Sequence, residues 1–238
     1  MKTIEKKENT LHTNNVILPF DKPEREYDVE KIADFQPKPI YGFTKRFVDI
    51  TVSIISILLL LLPMAIVYIA VAATSKGNPI YQQERLGLNG KKFTIYKFRT
   101  MYENAEEDGA QWSKGEYDER VTPVGKVLRR IKFDEVPQFF NCLKGDLSLV
   151  GPRPEREVFY IHFETYVHGF SQRLLVKPGI TGLAQIKGGY LKPEEKIVYD
   201  LEYIKNRSLW TDFKILLSTI SVIVRVNGEK IDGTGSCM

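Results

Sequence analysis

Apolar side chains are concentrated in one stretch. Between Asp49 and Lys76 the chain carries no charged residue, and Ile57 to Val67 reads Ile-Leu-Leu-Leu-Leu-Leu-Pro-Met-Ala-Ile-Val. As a helix rising about 1.5 Å per residue, the 26 uncharged residues would cover roughly 39 Å, enough for a hydrocarbon core of about 30 Å. Pro63 lies near the centre, where it removes a backbone donor and clashes with the preceding turn, so a kink or break is expected there. Basic residues flank both ends, Lys45 and Arg46 before and Lys76, Arg85, Lys91 and Lys92 after, so charge gives no inside-outside asymmetry. A helix that dips in, bends at Pro63 and returns to the same face fits both observations. A single kinked transmembrane helix is the bland alternative, and a buried core helix a weaker one.

Elsewhere the periodicity is that of a compact domain. Residues 1 to 40 are polar and punctuated by Pro19, Pro23, Pro37 and Pro39, as expected of an extended or weakly ordered arm. Ile80 to Leu88 and Lys91 to Arg99 read as two strands joined by a tight Asn89-Gly90 turn. The acidic stretch 103 to 120 is expected to be a mobile loop. Thr122-Pro123 predicts a helix start, with the helix running through Lys132, and Asp134-Glu135-Val136-Pro137 predicts another ending near Gly145. Further helices are expected over about Glu155–Val167 and Pro193–Asn206, and an apolar one, able to lie on a membrane surface, over about Leu209–Arg225. The glycines between Gly179 and Gly189 lack the order of a nucleotide-binding fingerprint and read as a turn-rich loop.

At 238 residues, with 34 Lys plus Arg against 30 Asp plus Glu, the net charge of +4 is too small to argue for nucleic-acid binding. Cys142 and Cys237 form no metal-ligand spacing, which points to a reducing compartment. Candidate chemistry lies between Lys126 and Glu157, where Arg129, Asp134, Glu135 and the Gly151-Pro152-Arg153-Pro154 turn mix fixed charge with turn formers. Adjacent carboxylates can hold Mg²⁺, which takes one or two acids plus substrate phosphates and water, or can attack phosphorus. An arginine fork between two prolines suits bidentate phosphate binding. On the residues alone each element has an ordinary reading as well: Asp134 and Glu135 as a capping pair, Arg153 as a salt-bridge partner, Lys97 and Arg99 as a solvated strand edge.

The order of the blocks narrows these choices. Lys45-Arg46-Phe47-Val48-Asp49, Gln83-Glu84-Arg85-Leu86-Gly87, Lys97-Phe98-Arg99-Thr100-Met101, Asp134-Glu135-Val136-Pro137-Gln138, Leu143 through Glu155 with its Gly-Pro-Arg-Pro core, and Lys177-Pro178-Gly179-Ile180-Thr181-Gly182 resemble the bacterial sugar transferases, the monotopic polyprenyl-phosphate phosphoglycosyl transferases. The resemblance covers about residues 41 to 227. It implies an α+β, mainly helical fold: a re-entrant membrane helix hairpin over 41–75 bent at Pro63, and a cytoplasmic catalytic domain over 76–227 with a short β-hairpin and interfacial helices. The polar extension 1–40 and a flexible tail 228–238 would flank these, as in the small, catalytic-core branch. Leu62 stands before Pro63 where some relatives carry serine.

The implied reaction moves a phospho-sugar from a UDP-sugar to undecaprenyl phosphate, releasing UMP, as the first membrane step of exopolysaccharide, capsule, O-antigen or glycoprotein glycan assembly. By resemblance Asp134 is the nucleophile and Glu135 its dyad partner, both also candidate ligands of Mg²⁺. Lys97, Arg99, Arg129 and Arg153 are expected to bind substrate. The implied setting is the cytoplasmic face of the bacterial inner membrane, in contact with membrane lipid, without nucleic acid and with scope for a homo-oligomer. The rival is a catalytically inactive membrane scaffold of a polysaccharide-assembly complex. Sugar preference is expected to lie in 103–120 and in about Gly169 to Leu191.

Overall fold

The computed structural model describes residues 16–17, 25–32, 35–107, 109–111, 118–188 and 191–231. In chain order the elements are β1 (Val16–Ile17), β2 (Tyr27–Asp28), α1 (Pro39–Thr74), β3 (Ile80–Leu86), β4 (Lys92–Phe98), β5 (Ala110–Gln111), α2 (Pro123–Arg130), α3 (Gln138–Lys144), β6 (Ser148–Val150), α4 (Glu157–Glu164), β7 (Val167–His168), β8 (Gly179–Thr181), α5 (Leu183–Lys187), α6 (Pro193–Asn206) and α7 (Leu209–Ile231). The fold is mainly helical with a few short two-stranded pairings.

Helix α1 runs without interruption for 36 residues, with Pro63 inside it. It is the one described helix long and apolar enough to cross a membrane. Its middle is bare: Leu58, Leu59, Leu61 and Leu62 are all exposed. Both of its ends are docked on the same body. Near the start, Lys45 donates to Asp212 Oδ2 at 2.7 Å, Arg46 donates to the carbonyls of Cys142 and Leu143, and Asp49 Oδ1 accepts from Ser148 Oγ and the Leu149 amide at 3.0 Å each. Near the end, Val71, with Met64 and Val67, packs against Phe98 and Leu128.

Strands β3 and β4 form an antiparallel hairpin with Ile80 opposite Phe98 and Leu86 opposite Lys92. The connection is wider than a two-residue turn. Gly87 donates to the Lys91 carbonyl at 2.8 Å, and Asn89 and Gly90 both take left-handed conformations, so five residues make the reversal. Period-two alternation places Phe93, Ile95 and Lys97 on the face of β4 that meets the main core. That core joins the hairpin to Leu147, Leu149, Phe159, Phe163, Ile197, Leu201 and Ile204.

Several expectations need correcting. The described part of segment 1–40 is not merely an arm: β1 pairs in parallel with β5, and β2 with β7. The stretch 103–120 accordingly contributes β5 rather than loop alone, although residues 108 and 112–117 lie outside the described set. Gly179 to Gly189 is not a turn-rich loop: its described part holds strand β8 and helix α5, and a tight helical turn over Phe170–Leu175 precedes it. Strand β8 pairs in parallel with β6, and a Cβ on Gly179 would lie 2.1 Å from the Gly151 amide nitrogen, so glycine is what permits this approach. Helix α7 reaches Ile231, past the tail boundary expected at 228, and residues 232–238 lie outside the described set.

Candidate active site

The acid pair sits on a short helical turn, Phe133–Glu135, that leads through Val136 and Pro137 into α3. Lys132, in a left-handed conformation at φ 57°, reverses the chain out of α2 and turns the acids inward. Helix α2 is fixed by the Thr122 cap, whose Oγ1 accepts from the Gly125 amide at 2.9 Å, with Pro123 at the first helical position. Gly125 is packed so closely on Thr100 that a Cβ there would lie 2.1 Å from the Thr100 carbonyl oxygen. Helix α3 is locked to β4 by Asn141, which is fully buried: its Nδ2 donates to the Thr94 carbonyl at 2.7 Å and its Oδ1 accepts from the Tyr96 amide at 3.0 Å. One side chain thus completes the free edge of β4 and sets the acid turn beside Lys97.

Glu135 is gripped from two sides. Lys97 Nζ donates to Oε1 at 2.9 Å, and Arg153 donates through Nη2 to Oε1 at 2.5 Å and through Nη1 to Oε2 at 3.4 Å. Burial alone would raise the Glu135 carboxyl, but Arg153 and Lys97 outweigh it and hold it well below the ordinary glutamate range. Burial lowers Lys97 and Arg153 repels its charge, while Glu135 draws it back. Arg153 is raised, chiefly by Glu135.

Asp134 is the opposite case. It is 8% exposed, and its Oδ1 is buried with no hydrogen-bond partner. Burial first, and then the neighbouring Glu135 charge, push its carboxyl above the ordinary range against the pull of Lys97, Arg129 and Arg153. A buried acceptor left without a donor is costly, and it has bonding capacity that a water, an ion or a ligand can fill.

The structure therefore gathers Asp134, Glu135, Lys97, Arg129 and Arg153, with Arg129 also donating from Nε to Thr100 Oγ1 at 2.8 Å. Arg99 is directed elsewhere. Its Nη2 donates to the Ser75 carbonyl at 2.7 Å and to Ser75 Oγ at 2.8 Å, clamping the exit from α1. Pro63 lies within α1, remote in sequence from the acid turn. Lys97, expected to bind substrate and with a solvated strand edge as its ordinary alternative reading, is on the core face of β4 beside Glu135.

The loop carrying Arg153 is held through its carbonyls, since prolines 152 and 154 offer no N–H. Pro152 accepts from the Gly179 amide at 2.9 Å, Arg153 from Arg173 Nη2 at 2.7 Å, Pro154 from Arg85 Nη1 at 3.3 Å and Glu155 from the Leu86 amide at 3.1 Å. Sequence reasoning missed Asn141, Asp49 and the buried charges behind this loop. A polar residue within an apolar run, as Asn141 is in Phe139-Phe140-Asn141-Cys142-Leu143, was the available signal.

Comparison with known proteins gives the family of the chain. Residues 40–226 match the family model described as bacterial sugar transferase. The chain belongs to that family. Among related bacterial sugar transferases, it is 42% identical over 204 residues to the UDP-N-acetylgalactosamine-undecaprenyl-phosphate N-acetylgalactosaminephosphotransferase of Aeromonas hydrophila, covering 84% of this chain and 48% of that protein. It is 43% identical over 183 residues to the UDP-glucose:undecaprenyl-phosphate glucose-1-phosphate transferase of Klebsiella pneumoniae, covering 74% and 39%. It is 39% identical over 202 residues to the undecaprenyl-phosphate galactose phosphotransferase of Salmonella typhimurium, covering 78% and 41%. The chain thus spans about half or less of the length of these relatives. Their sugars differ while the carrier is the same.

Proposed function

We propose that this bacterial sugar transferase moves a phospho-sugar from a UDP-sugar to undecaprenyl phosphate in two displacements at Asp134. The observation that carries the reading is the buried, unpartnered Oδ1 of Asp134 beside a Glu135 that Lys97 and Arg153 already hold. In the first step an Asp134 oxygen attacks the sugar-bearing phosphorus, the P–O bond to the other phosphate breaks, and UMP leaves with that oxygen. In the second, a phosphate oxygen of the lipid attacks the same phosphorus and the Asp134 carboxylate departs, giving undecaprenyl-diphosphate-sugar. Two displacements let each bulky anionic substrate use the site in turn. Lys97, Arg129 and Arg153 place positive charge where phosphoryl oxygens collect, and Arg153, a third exposed at its side chain, is the arm that reaches toward solvent.

The donor set fits Mg²⁺. Asp134 Oδ1 is unpartnered, Glu135 Oε2 has only the long 3.4 Å contact, and no cluster of three acidic, His or Cys side chains suited to a metal occurs among the described residues, so substrate phosphates would supply the other ligands. Bound there, the ion would neutralise phosphate charge.

Three observations support a monotopic seat on the cytoplasmic leaflet of the inner membrane. The apolar middle of α1 is bare, basic residues flank both its ends, and both ends dock on one body. A helix with its ends across a bilayer could touch such a body at one end only, so a return to the same face at Pro63 is favoured. The exposed stripe Trp210, Phe213, Leu217 and Ile220 on α7, beside exposed Ile40, Phe43 and Phe47 of α1, suits the interface.

The test is UMP release from a panel of UDP-sugars with undecaprenyl phosphate. Release with one or a few donors, with a lipid-linked diphospho-sugar as co-product, is expected. Inorganic phosphate as the product, or no turnover with any donor, overturns the reading; the latter outcome favours the scaffold.

A further inference from the structure

Behind the Gly151–Glu155 loop lies a second set of buried charges that the transfer steps do not use. Arg173, on the helical turn Phe170–Leu175, is 1% exposed, as is Asp200 on α6. Arg173 Nε donates to Asp200 Oδ2 at 2.6 Å, Nη1 donates to the Tyr160 hydroxyl at 3.4 Å and Nη2 donates to the Arg153 carbonyl at 2.7 Å. The guanidinium also lies over the Phe170 ring at 4.7 Å. One turn earlier on α6, Lys196 Nζ pairs with Glu155 Oε1 at 2.7 Å, and Arg85 meets Glu155 Oε2 at 3.4 Å.

Buried ion pairs of this kind are poor sources of net stability, because desolvating both partners offsets most of their attraction. This one does something geometric instead. The plane of Arg173 is fixed by Asp200 and by two aromatic rings, and its remaining arm ends on the backbone of the residue whose side chain holds Glu135. Flanking prolines give the loop no N–H of its own at those positions, so its orientation depends on what its carbonyls accept. A shift of the Arg153 carbonyl would swing the guanidinium away from the acid pair.

We infer that the Arg173–Asp200 pair is a positioning device for Arg153, setting the phosphate-gripping fork through its main-chain carbonyl. The inference rests on the transfer reading above. Arg173 touches no reacting atom and is a positioning residue, so a loss of activity alone would not separate this role from ordinary core support.

A double-variant cycle on the full chain makes the separation. R173M/D200L exchanges the pair for apolar side chains and strands no buried charge; R153K blunts the fork. R173M/D200L is expected to lower kcat/KM for UMP release about 100-fold, the cost of a misplaced binding group. In the R153K background the same exchange is expected to cost less than about 3-fold, since two changes acting through one contact are not additive. Losses that multiply, or R173M/D200L with wild-type kcat/KM, overturn the inference. Should R173M/D200L fail to fold, D200N, nearly isosteric, replaces it in the same cycle. The cycle is repeated on inorganic pyrophosphate affinity by calorimetry, with the same pattern expected. A wild-type chain that binds pyrophosphate but releases no UMP overturns the transfer reading, and the calorimetric cycle then decides the positioning role. A wild-type chain that binds no pyrophosphate overturns both.

Discussion

Two groups of shielded charge meet the Pro152–Pro154 loop, one through the Arg153 side chain and one through its carbonyls. In the group behind the loop each acid is matched: Glu155 by Lys196 and Arg85, Asp200 by Arg173. In the group in front, Glu135 is matched twice while Asp134 keeps an oxygen with no partner. Similar residue types and similar burial leave every acid matched in one place and one carboxylate oxygen open in the other. Among these acids the difference is a single unsatisfied acceptor, Asp134 Oδ1.

The sharpest way to break this contrast is Asp134→Asn, which keeps the shape and removes the proposed nucleophile. Turnover is expected to fall on the order of 10⁴-fold, as for loss of a covalent nucleophile. Circular dichroism and membrane flotation should be unchanged, and retained turnover would sink the assignment. Glu135→Gln is expected to lower kcat about 10³-fold by releasing Lys97 and Arg153. It should also move the acid limb of the kcat/KM profile. On the proposed mechanism activity is expected to rise with pH as Asp134 ionises, and burial together with the Glu135 charge holds that ionisation above the ordinary range. Removing the charge should shift the limb to lower pH, and a limb that stays in place or moves upward would contradict the coupling.

The rear group should show itself in stability. Burial would raise Glu155, but Lys196, Arg85 and Arg173 take its carboxyl from 4.5 down to about 2. A lowered folded value means the contribution is full above the unfolded pKa and is lost as pH falls from about 4.5 through about 2, on the order of 3 kcal/mol. Thermal midpoints measured across that window should drop, and Glu155→Gln should flatten the drop. Arg99→Lys, which loosens the Ser75 clamp outside both groups, is expected to cost about 1 kcal/mol with little change in kcat.

Much of this was legible where signals are local. Pro193 opens α6 at the first helical position and the helix ends at Asn206, as expected; Thr122-Pro123 likewise marked α2. The acid pair and Arg153 were flagged by their neighbours in the chain. What escaped depends on partners distant in sequence. Ser148–Val150 and Gly179–Thr181 are three residues each, too short for a periodic pattern, and pair only because Gly151 and Gly179 allow close approach. Arg99 and Lys97 share a strand parity, yet one serves the end of α1 and the other serves Glu135, because β4 ends between them. Arg173 and Asp200 carry no motif at all. The five-residue reversal at Gly87–Lys91 shows the limit of reading Asn-Gly as a two-residue turn.

The double docking of α1 has a mechanical consequence. A catalytic body hung from a single flexible stalk could sway and sample many heights above a lipid surface. With Asp49 fastened to β6 at one end and Val71 wedged against Phe98 at the other, this body has no such swing. On the proposed monotopic seat, altitude and tilt would be set once, when the helix is seated, and each carrier lipid would meet Asp134 at the same level.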